Sequence, residues 1–357
     1  MAEVSEFLEY LAPPSLSHPD DPHGLQVGAP ASEVRSIVLA AMASFNALSA
    51  AAARKHSLLI TAAPLLKRPL LSVRRDDPIG GALAYLLEHR INLYALPNSF
   101  KAAPGGFDDS LAERLGLAAT SALLPTAYEQ QYKMAVHTPL DAADKVMRAA
   151  AEAGAGRIGN YSHCSFRTRG LGTFLPLEGA NPTSGEVGSL ERVDEVRLEM
   201  VVPQREIQGV IAAVLDAHPY EEVAYDIYSV RNPGVLYGRG RIGELPLKVS
   251  LETVLAQVQD ALEAVSLRCS HHADFPIGTL AVASGPGDGL VWQANRAGAG
   301  AFVTGGASPE DLMLAENSTT VLVDVGFTAS VGPGLRRLRA QICDTFGADG
   351  LDVLFIA

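Results

Sequence analysis

Three segments of the chain follow apolar runs that predict buried strands, and a catalytic centre would be expected there. They read Thr61-Ala62-Ala63-Pro64, Leu96-Pro97-Asn98-Ser99 and Gly326-Phe327-Thr328-Ala329. Ligands of an open α/β sheet bind beyond the carboxyl ends of the strands, so hydrolytic chemistry would need His, Asp, Glu or Cys in these loops. The segments contain none of these residues. The sequence therefore predicts the framework of an enzyme without its usual catalytic groups.

Polar residues in and near these segments form a candidate ligand-binding cleft. They are Thr61, Asn98, Ser99, Lys101, Thr304, Asp324, Thr328 and Ser330. Lys101 has two interpretations. It is either a solvated surface lysine, which is the usual location of this residue, or an ammonium that pairs with Asp324 or attracts a small anionic or nucleotide-like ligand.

A glycine-rich loop, residues 284–289 (SGPGDG), lies between a predicted strand and a predicted helix. The amides of Gly285 and Gly287 could face an anion at the N-terminus of that helix. A plain tight turn is the alternative, because Pro286 has no N–H and the spacing fits neither a dinucleotide-binding nor a P-loop pattern.

Histidines elsewhere offer two weaker metal sites. His271 and His272 lie beside Cys269 in a polar stretch. A second set could assemble in the middle of the chain and would suit zinc or copper; it consists of His163, Cys164, His218, Glu221 and Glu222. The alternative for this set is a turn at a helix end in which His218 and Tyr220 simply pack.

The elements that would position these residues alternate between strand and helix, which predicts mostly parallel sheets in both halves of the chain. Predicted strands are 36–41, 57–61, 91–96, 279–283, 301–304 and 320–325. Predicted helices are 44–55, 79–89, 290–297, 308–316 and a long helix from Pro333 toward Cys343. Ser308 is a favourable helix start, since Ser caps, Pro309 fits the first turn, and two acidic residues follow.

The middle of the chain has a different pattern. Strands are predicted at 132–137, 196–200 and 223–230, and helices at 142–153 and 207–217. Together they indicate a ferredoxin-like α+β module. Pro125 and Asn232-Pro233-Gly234 flank it, so it resembles a domain inserted into a host. The predicted boundaries are 1–130 and 232–357 for the host and 131–231 for the insert.

Composition restricts the possible partners. The 357-residue chain is 48% hydrophobic and 19% charged, with a formal net charge of −12. Such a surface repels phosphate backbones, so we expect no nucleic-acid partner. No apolar run approaches the roughly 20 residues that span a bilayer, and the start is acidic where a secretory signal is basic. We therefore expect no membrane partner.

The cysteines indicate a compartment rather than a site. Cys164, Cys269 and Cys343 lie far apart and form no CxxC pair. This spacing predicts neither a disulfide framework nor a thiolate zinc site, and we expect a reducing, cytoplasmic environment.

Several segments together resemble the GTP cyclohydrolase 1 type 2 homologue (NIF-like) family, in the form that carries a PII-like or CutA-like insert. In the host they are 24–28 (GLQVG), 58–61 (LLIT), 105–109 (GGFDD), 111–117 (LAERLGL), 302–305 (FVTG) and 323–326 (VDVG). In the insert they are 154–166 (GAGRIGNYSHCSF), 172–174 (GTF) and 218–222 (HPYEE). The resemblance spans almost the whole chain and implies a two-lobed α/β host.

The resemblance also implies a two-metal centre, but this sequence departs from it at every ligand. Alignment of the flanking residues puts the ligand positions at Ala62, Ala63, Pro97, Lys101, Phe327 and Val331. Apolar side chains cannot donate a lone pair, and an ammonium repels a cation. The divalent metal pair of the family is therefore not expected here.

Two functions follow as expectations. The first is a non-catalytic binding, regulatory or structural homo-oligomer, which the resemblance implies is a toroidal hexamer. The alternative is a hydrolase or cyclohydrolase-like enzyme on a nucleotide-like substrate, without metal or through a relocated metal site. It would use Lys101, Asp324 and the loop at Gly285.

Overall fold

The computed structural model describes residues 1–14, 17, 20–181, 183 and 185–356. The chain divides into two compact units, one formed by Met1–Ala127 with Tyr237–Ala357 and the other by Tyr128–Leu236. The predicted insert, 131–231, lies within the second unit. Among the described residues, no helix is both long and apolar enough to cross a membrane.

The first part of the larger unit alternates short buried strands with helices that begin at capping residues. The Ser44 hydroxyl accepts the Ala47 N–H, and the Asp77 carboxylate accepts the Gly80 N–H at 2.8 Å, which stabilises two of these helix starts. In chain order the elements are α1 (Ala2–Leu11), β1 (Gly24–Val27), β2 (Ser36–Ala40), α2 (Phe45–Ala52), β3 (Ser57–Thr61), α3 (Pro78–Glu88), β4 (Asn92–Ala95), α4 (Ser99–Ala102), α5 (Phe107–Arg114) and β5 (Ala118–Tyr128).

The smaller unit consists of β6 (Gln131–Pro139), α6 (Ala143–Glu152), β7 (Ser165–Phe174), β8 (Glu191–Pro203), α7 (Ile207–Ala217) and β9 (Tyr225–Val230). Its strands pair antiparallel in the order β7-β8-β6-β9. Both helices pack on one apolar cluster with the sheet, which includes Val146, Leu198 and Val210. This is the predicted ferredoxin-like arrangement. The strand β7 was not predicted, because its residues are mostly exposed and include two glycines.

The chain then completes the larger unit. The elements are β10 (Leu236–Val249), α8 (Leu251–Leu262), β11 (Arg268–Cys269), β12 (Ile277–Ala283), α9 (Leu290–Arg296), β13 (Ala301–Thr304), α10 (Pro309–Glu316), β14 (Val321–Asp324), α11 (Phe327–Phe346) and β15 (Asp352–Ile356). The predicted start of α10 is confirmed, since Ser308 and Asp311 form a reciprocal capping box.

Two sheets form the larger unit. The first has the order β1-β4-β3-β2-β15, with all neighbours parallel except β1 and β4. The second has the order β11-β14-β13-β12-β10-β5, and within it β12, β13 and β14 run parallel. The α/β class is confirmed, although antiparallel strands flank the parallel core of the second sheet. The C-terminal strand β15 joins the first sheet, so each sheet uses both halves of the chain.

The last helix differs from its prediction. It begins at Phe327 and not at Pro333, which lies inside it. The first turn of a helix tolerates residues such as Thr328 and Ser330, and here the Ser330 N–H donates to the Gly326 carbonyl at 3.2 Å. Residues 327–329, expected in a loop, therefore belong to α11.

Candidate functional site

The residues that follow β3, β4, β12 and β14 lie close together, and we call this region the strand-end cleft. Phe327 packs against the same apolar cluster as Ala62, which follows β3. A β-carbon at Gly285, which follows β12, would lie 3.1 Å from the Lys101 Nζ atom and 3.2 Å from the Phe327 ring. The structure thus brings together segments from both sheets. The ligand-binding role of this cleft stays a prediction.

The side chains at the implied metal-ligand positions do not fit a metal pair. Val331 is 1% exposed and belongs to the apolar cluster of the first sheet, and Ala62 and Phe327 pack against that cluster. The Ala63 N–H donates to the Ala41 carbonyl at 2.9 Å, which extends the pairing of β3 with β2. None of these side chains carries a lone pair for a metal. Their contacts are those of a hydrophobic core.

Lys101 and the buried Pro97 occupy two more of the implied metal-ligand positions. Lys101 is mostly buried in α4, so its interpretation as a solvated surface lysine is wrong. Burial lowers the pKa of Lys101, and the charges of Asp108, Asp288 and Asp21 oppose that shift. Within the described part of the chain, no hydrogen bond or ion pair engages its ammonium. It is a desolvated ammonium without a direct counter-ion among the described residues.

The expected ion pair between Lys101 and Asp324 is also wrong. The Asp324 carboxylate accepts the N–H of Ala307 at 3.1 Å and that of Gly326 at 2.9 Å. These hydrogen bonds fix the loops after β13 and β14, so the carboxylate has a local structural role. Thr328, two residues after Gly326, is exposed.

The glycine-rich loop after β12 is a hydrogen-bonded turn rather than an anion cradle. The Gly285 N–H donates to the Ser330 hydroxyl at 2.9 Å, and the Gly287 N–H donates to the Gly306 carbonyl at 3.2 Å. The Gly289 N–H donates to the Asp311 carboxylate at 2.9 Å. The interpretation of Gly285 and Gly287 as anion-binding amides is therefore wrong, because both N–H groups already have partners within the protein.

Most other polar residues of the cleft are hydrogen-bonded within the protein. The Thr304 hydroxyl donates to the Gly285 carbonyl at 2.9 Å, and the Ser99 hydroxyl donates to the Ala12 carbonyl at 3.1 Å. The Asn98 amide donates to Asp21 at 2.7 Å. Thr61 is the exception. It is completely buried, and its hydroxyl has no partner among the described residues.

The sequence did not predict the role of Asp108, which holds Gly240 and Ser284 in position. Its buried carboxylate accepts the Gly240 N–H at 2.6 Å and both the N–H and the hydroxyl of Ser284, at 2.7 and 2.6 Å. Burial raises the pKa of Asp108, while these hydrogen bonds and the charge of Lys101 act in the opposite direction. The GGFDD segment signalled it, but only as part of the family resemblance.

Arg241 on β10 connects the same region. It pairs with Asp109, and its guanidinium donates to the carbonyls of Gly238 and Gly240 at 2.8 Å. The Arg241 side chain is 6% exposed, so the ion pair is largely desolvated. Asp108 and Asp109 thus tie α5 to β10 and to the loop after β12.

The first histidine set does not form a metal site. The His271 ring nitrogen hydrogen-bonds the Ser270 hydroxyl at 2.9 Å, and His272 faces Asp274 at 3.0 Å. Cys269 pairs along β11 with β14. Across the described residues, no three His, Cys, Asp or Glu side chains cluster in a way that could hold a metal ion.

The second set is also dispersed. The His218 Nε2–H donates to the His137 carbonyl at 3.0 Å, while its Nδ1 accepts the Tyr220 N–H at 3.1 Å. Both ring nitrogens are thereby used, and burial lowers the pKa of His218, so the neutral ring has a structural role. His163 is exposed beside Ser162, the Cys164 thiol faces the carbonyl of the same serine, and Glu221 accepts the Asn181 N–H. Glu222 is exposed. The weaker metal site is not assembled.

Comparison with known proteins gives consistent matches over the whole length. The family model for Duf34/NIF3 (NGG1p interacting factor 3) matches residues 1–357. The GTP cyclohydrolase 1 type 2 homologue of Bacillus subtilis is 35% identical over 348 residues, which cover 96% of this chain and 92% of that protein. The crystal structure of a Bacillus cereus protein related to NIF3 superposes with a TM-score of 0.88 at 33% identity, covering 99% of this chain and 95% of the other.

Proposed function

Because the chain belongs to the Duf34/NIF3 family, we propose that it is a member in which the implied two-metal centre has become a packed cleft. It acts as a non-catalytic binding protein. One observation carries this proposal, namely that Ala62, Phe327 and Val331 join the apolar cluster of the first sheet. A cluster of this kind gains stability from the exclusion of water, whereas a metal pair needs lone-pair donors and bound water.

The ligand of the cleft is a small anion, and Lys101 is the group that attracts it. The ammonium is desolvated and has no direct counter-ion in the described part of the chain. An anion bound next to the ammonium would compensate its charge, and the low dielectric constant of a buried site strengthens that attraction. A phosphate or the phosphate group of a nucleotide fits this chemistry.

The assembly is a homo-oligomer, proposed as a hexamer on the strength of the family membership. The net charge of −12 disfavours a nucleic-acid partner. The three cysteines are free thiols in the structure, which supports a reducing, cytoplasmic location.

The decisive experiment is the metal content of the purified, undialysed protein, measured by plasma mass spectrometry with a light-scattering mass on the same sample. The expected result is below about 0.1 equivalent of any transition metal, with a multimeric mass. One or two tightly held equivalents, or saturable hydrolysis of a nucleotide, would overturn the non-catalytic assignment. A monomeric mass would overturn the oligomer alone.

The anion is tested by thermal unfolding of the wild type, Lys101→Met and the surface control Lys67→Met with inorganic phosphate and with GTP. The expected result is a saturable rise in Tm for the wild type and for Lys67→Met, and none for Lys101→Met. An equal rise in all three proteins would assign the effect to general salt stabilisation. No rise in any of them would remove the anion from the proposal and leave the metal result unaffected.

A further inference from the structure

A cavity of about 490 Å³ lies in the smaller unit, and we call it the Glu195 cavity. Its walls come from the end of β7, the segment after it, the start of β8 and residues 220–224. Volumes of this size accommodate small organic molecules. The strand-end cleft, in contrast, belongs to the larger unit.

The charge around the cavity has one sign. Three carboxylates line it, those of Glu195, Glu221 and Glu222, and none of the described lining residues is a lysine or an arginine. Glu195 is half-buried, whereas Glu221 and Glu222 are exposed at the rim. Carboxylates that share a concave wall without a basic partner favour a cation in the space between them.

The body of the cavity is apolar and aromatic. Leu171, Phe174 and Pro176 line it together with Tyr220. The Phe174 and Tyr220 rings lie with their centroids 6.4 Å apart. Aromatic faces attract an ammonium as well as an apolar chain. The lining therefore suits a molecule that combines both groups.

The Tyr220 hydroxyl is a buried polar group beside Glu195. Its oxygen is shielded from solvent, and the Glu195 carboxylate is its hydrogen-bond acceptor. Burial, the negative charge of Glu195 and this hydrogen bond raise the pKa of Tyr220 to about 12, so it remains a neutral phenol. The carboxylate therefore has a neutral donor beside it and no lysine or arginine among the described lining residues.

Two glycines of β7 leave room for the Glu195 side chain, since Gly170 is its partner in the strand register and Gly172 lies under its carboxylate. A β-carbon at Gly172 would lie 2.2 Å from the Glu195 Oε2 atom, so the carboxylate lies directly over the bare backbone of β7. The segment over the cavity is also tied down, since the Thr183 hydroxyl donates to the Pro219 carbonyl at 2.9 Å and the Asn181 N–H donates to Glu221 at 3.0 Å. These two hydrogen bonds hold the segment against residues 219–221.

We propose that the Glu195 cavity binds a small organic cation, a protonated amine on an apolar chain or ring. The ammonium lies between the Glu195 carboxylate and the Tyr220 ring, and the apolar part lies against Leu171 and Phe174. The exposed acids at the rim attract the cation from solution, and Glu195 supplies the direct contact.

The test is calorimetric titration of the full-length protein with 2-phenylethylamine and with 1,4-diaminobutane. The isosteric neutral alcohol 2-phenylethanol serves as the ligand control. The expected result is saturable binding of at least one amine, about tenfold or more tighter than the alcohol. The amine affinity should fall as ionic strength rises, because the rim charges are exposed.

Three variants locate the interaction. Glu195→Gln removes the charge, and Gly172→Ala displaces the carboxylate while the net charge is kept. Asp216→Asn is the matched control, an exposed acid on α7 outside the cavity. We expect each of the first two to weaken amine binding about tenfold or more and the third to leave it unchanged. Thermal unfolding checks that every variant is folded.

Three outcomes would overturn the proposal. They are equal binding of the alcohol and the amine, amine binding that survives both Glu195→Gln and Gly172→Ala, and the absence of saturable binding up to about 10 mM for both amines. Loss of binding in Asp216→Asn to the same degree would reassign the effect to the net negative charge of the protein.

Discussion

The strand-end cleft and the Glu195 cavity both combine apolar walls with polar side chains, but the polar groups have different partners. In the cleft, the Asp108 carboxylate accepts three hydrogen bonds from the protein, and Ser330 bonds both to the loop after β12 and to its own helix. In the cavity, the Glu195 carboxylate faces the buried Tyr220 hydroxyl, a neutral donor, and none of the described lining residues is a lysine or an arginine.

This difference separates two ways of locating a binding site. The first uses topology, because the carboxyl ends of parallel strands are where α/β proteins bind ligands. The second asks which polar groups still lack partners, because an unsatisfied buried group costs stability unless a ligand or water engages it. In this chain topology selects the cleft, where Lys101 has no direct counter-ion among the described residues. The second criterion, applied to charges, also selects the cavity, where Glu195 has no lysine or arginine among the described lining residues, in a unit whose fold alone predicts no ligand.

The largest expected effect tests whether the polar groups of the cleft serve the fold. Asp108→Ala should lower the free energy of unfolding by about 3–5 kcal/mol, because it leaves the Gly240 and Ser284 N–H groups buried without an acceptor and opens a small void. Urea denaturation measures this change. The matched control is Asp288→Ala, which removes an exposed carboxylate paired with Arg239 and should cost about 1 kcal/mol or less.

Equal stability of the Asp108→Ala and Asp288→Ala proteins would break the comparison. It would mean that Asp108 is held in place at no benefit to folding and that the cleft, like the cavity, keeps its polar groups for a ligand.

The fold was largely predictable because its signals are local. The buried strands β2, β3 and β13 are short runs of apolar residues between turn residues, and the predicted ranges overlap them closely. The position of β15 was not predictable in the same way. Its pairing with β2 joins residues more than 300 positions apart, and nothing in a five-residue strand specifies such a distant partner.

The candidate site was less predictable, because burial and hydrogen bonding depend on tertiary contacts. Lys101 lies in a four-residue helix beside the glycine-rich loop, so its environment is set by a segment far away in the sequence. Gly285 and Gly287 have the composition of an anion-binding loop, yet their amides are bonded to Ser330 and Gly306. The cavity at Glu195 depends on β7, the strand that the sequence analysis missed.

A smaller effect is expected at Ser330. It tests whether the polar groups of the cleft are hydrogen-bonded to one another within the protein. Ser330→Ala removes the acceptor of the Gly285 N–H and the donor to the Phe327 carbonyl, at 2.9 and 2.7 Å. The free energy of unfolding should fall by about 1–2 kcal/mol in urea denaturation. Thr328→Ala, an exposed position on the same helix, should leave it unchanged. If the two variants lost the same stability, the loss would come from the polar side chains of the first helical turn in general and not from the Gly285 contact.

The smallest effect concerns the smaller unit, where both ring nitrogens of His218 are hydrogen-bonded within the protein beside Tyr220. Burial lowers the pKa of His218 below its ordinary value near 6.5, and the ring packs edge-on against Tyr220. Between the lowered pKa of the folded protein and about pH 6.5, the unfolded chain therefore binds a proton at this residue more readily than the folded protein does. The stability that the neutral ring contributes is present above about pH 6.5 and is lost as the pH falls through the lowered pKa.

Urea denaturation at pH 7.5 and at pH 5.5 should show this loss in the wild type and in the exposed-site control His163→Gln, and a smaller pH dependence in His218→Gln. At pH 7.5 the same substitution should cost about 1 kcal/mol, because one hydrogen bond to the His137 carbonyl and one from the Tyr220 N–H are disturbed. An identical pH dependence in all three proteins would show that His218 titrates alike in the folded and unfolded chain. Its ring would then not be the desolvated support of Tyr220, and the wall of the Glu195 cavity would be less rigid than the hydrogen bonds indicate.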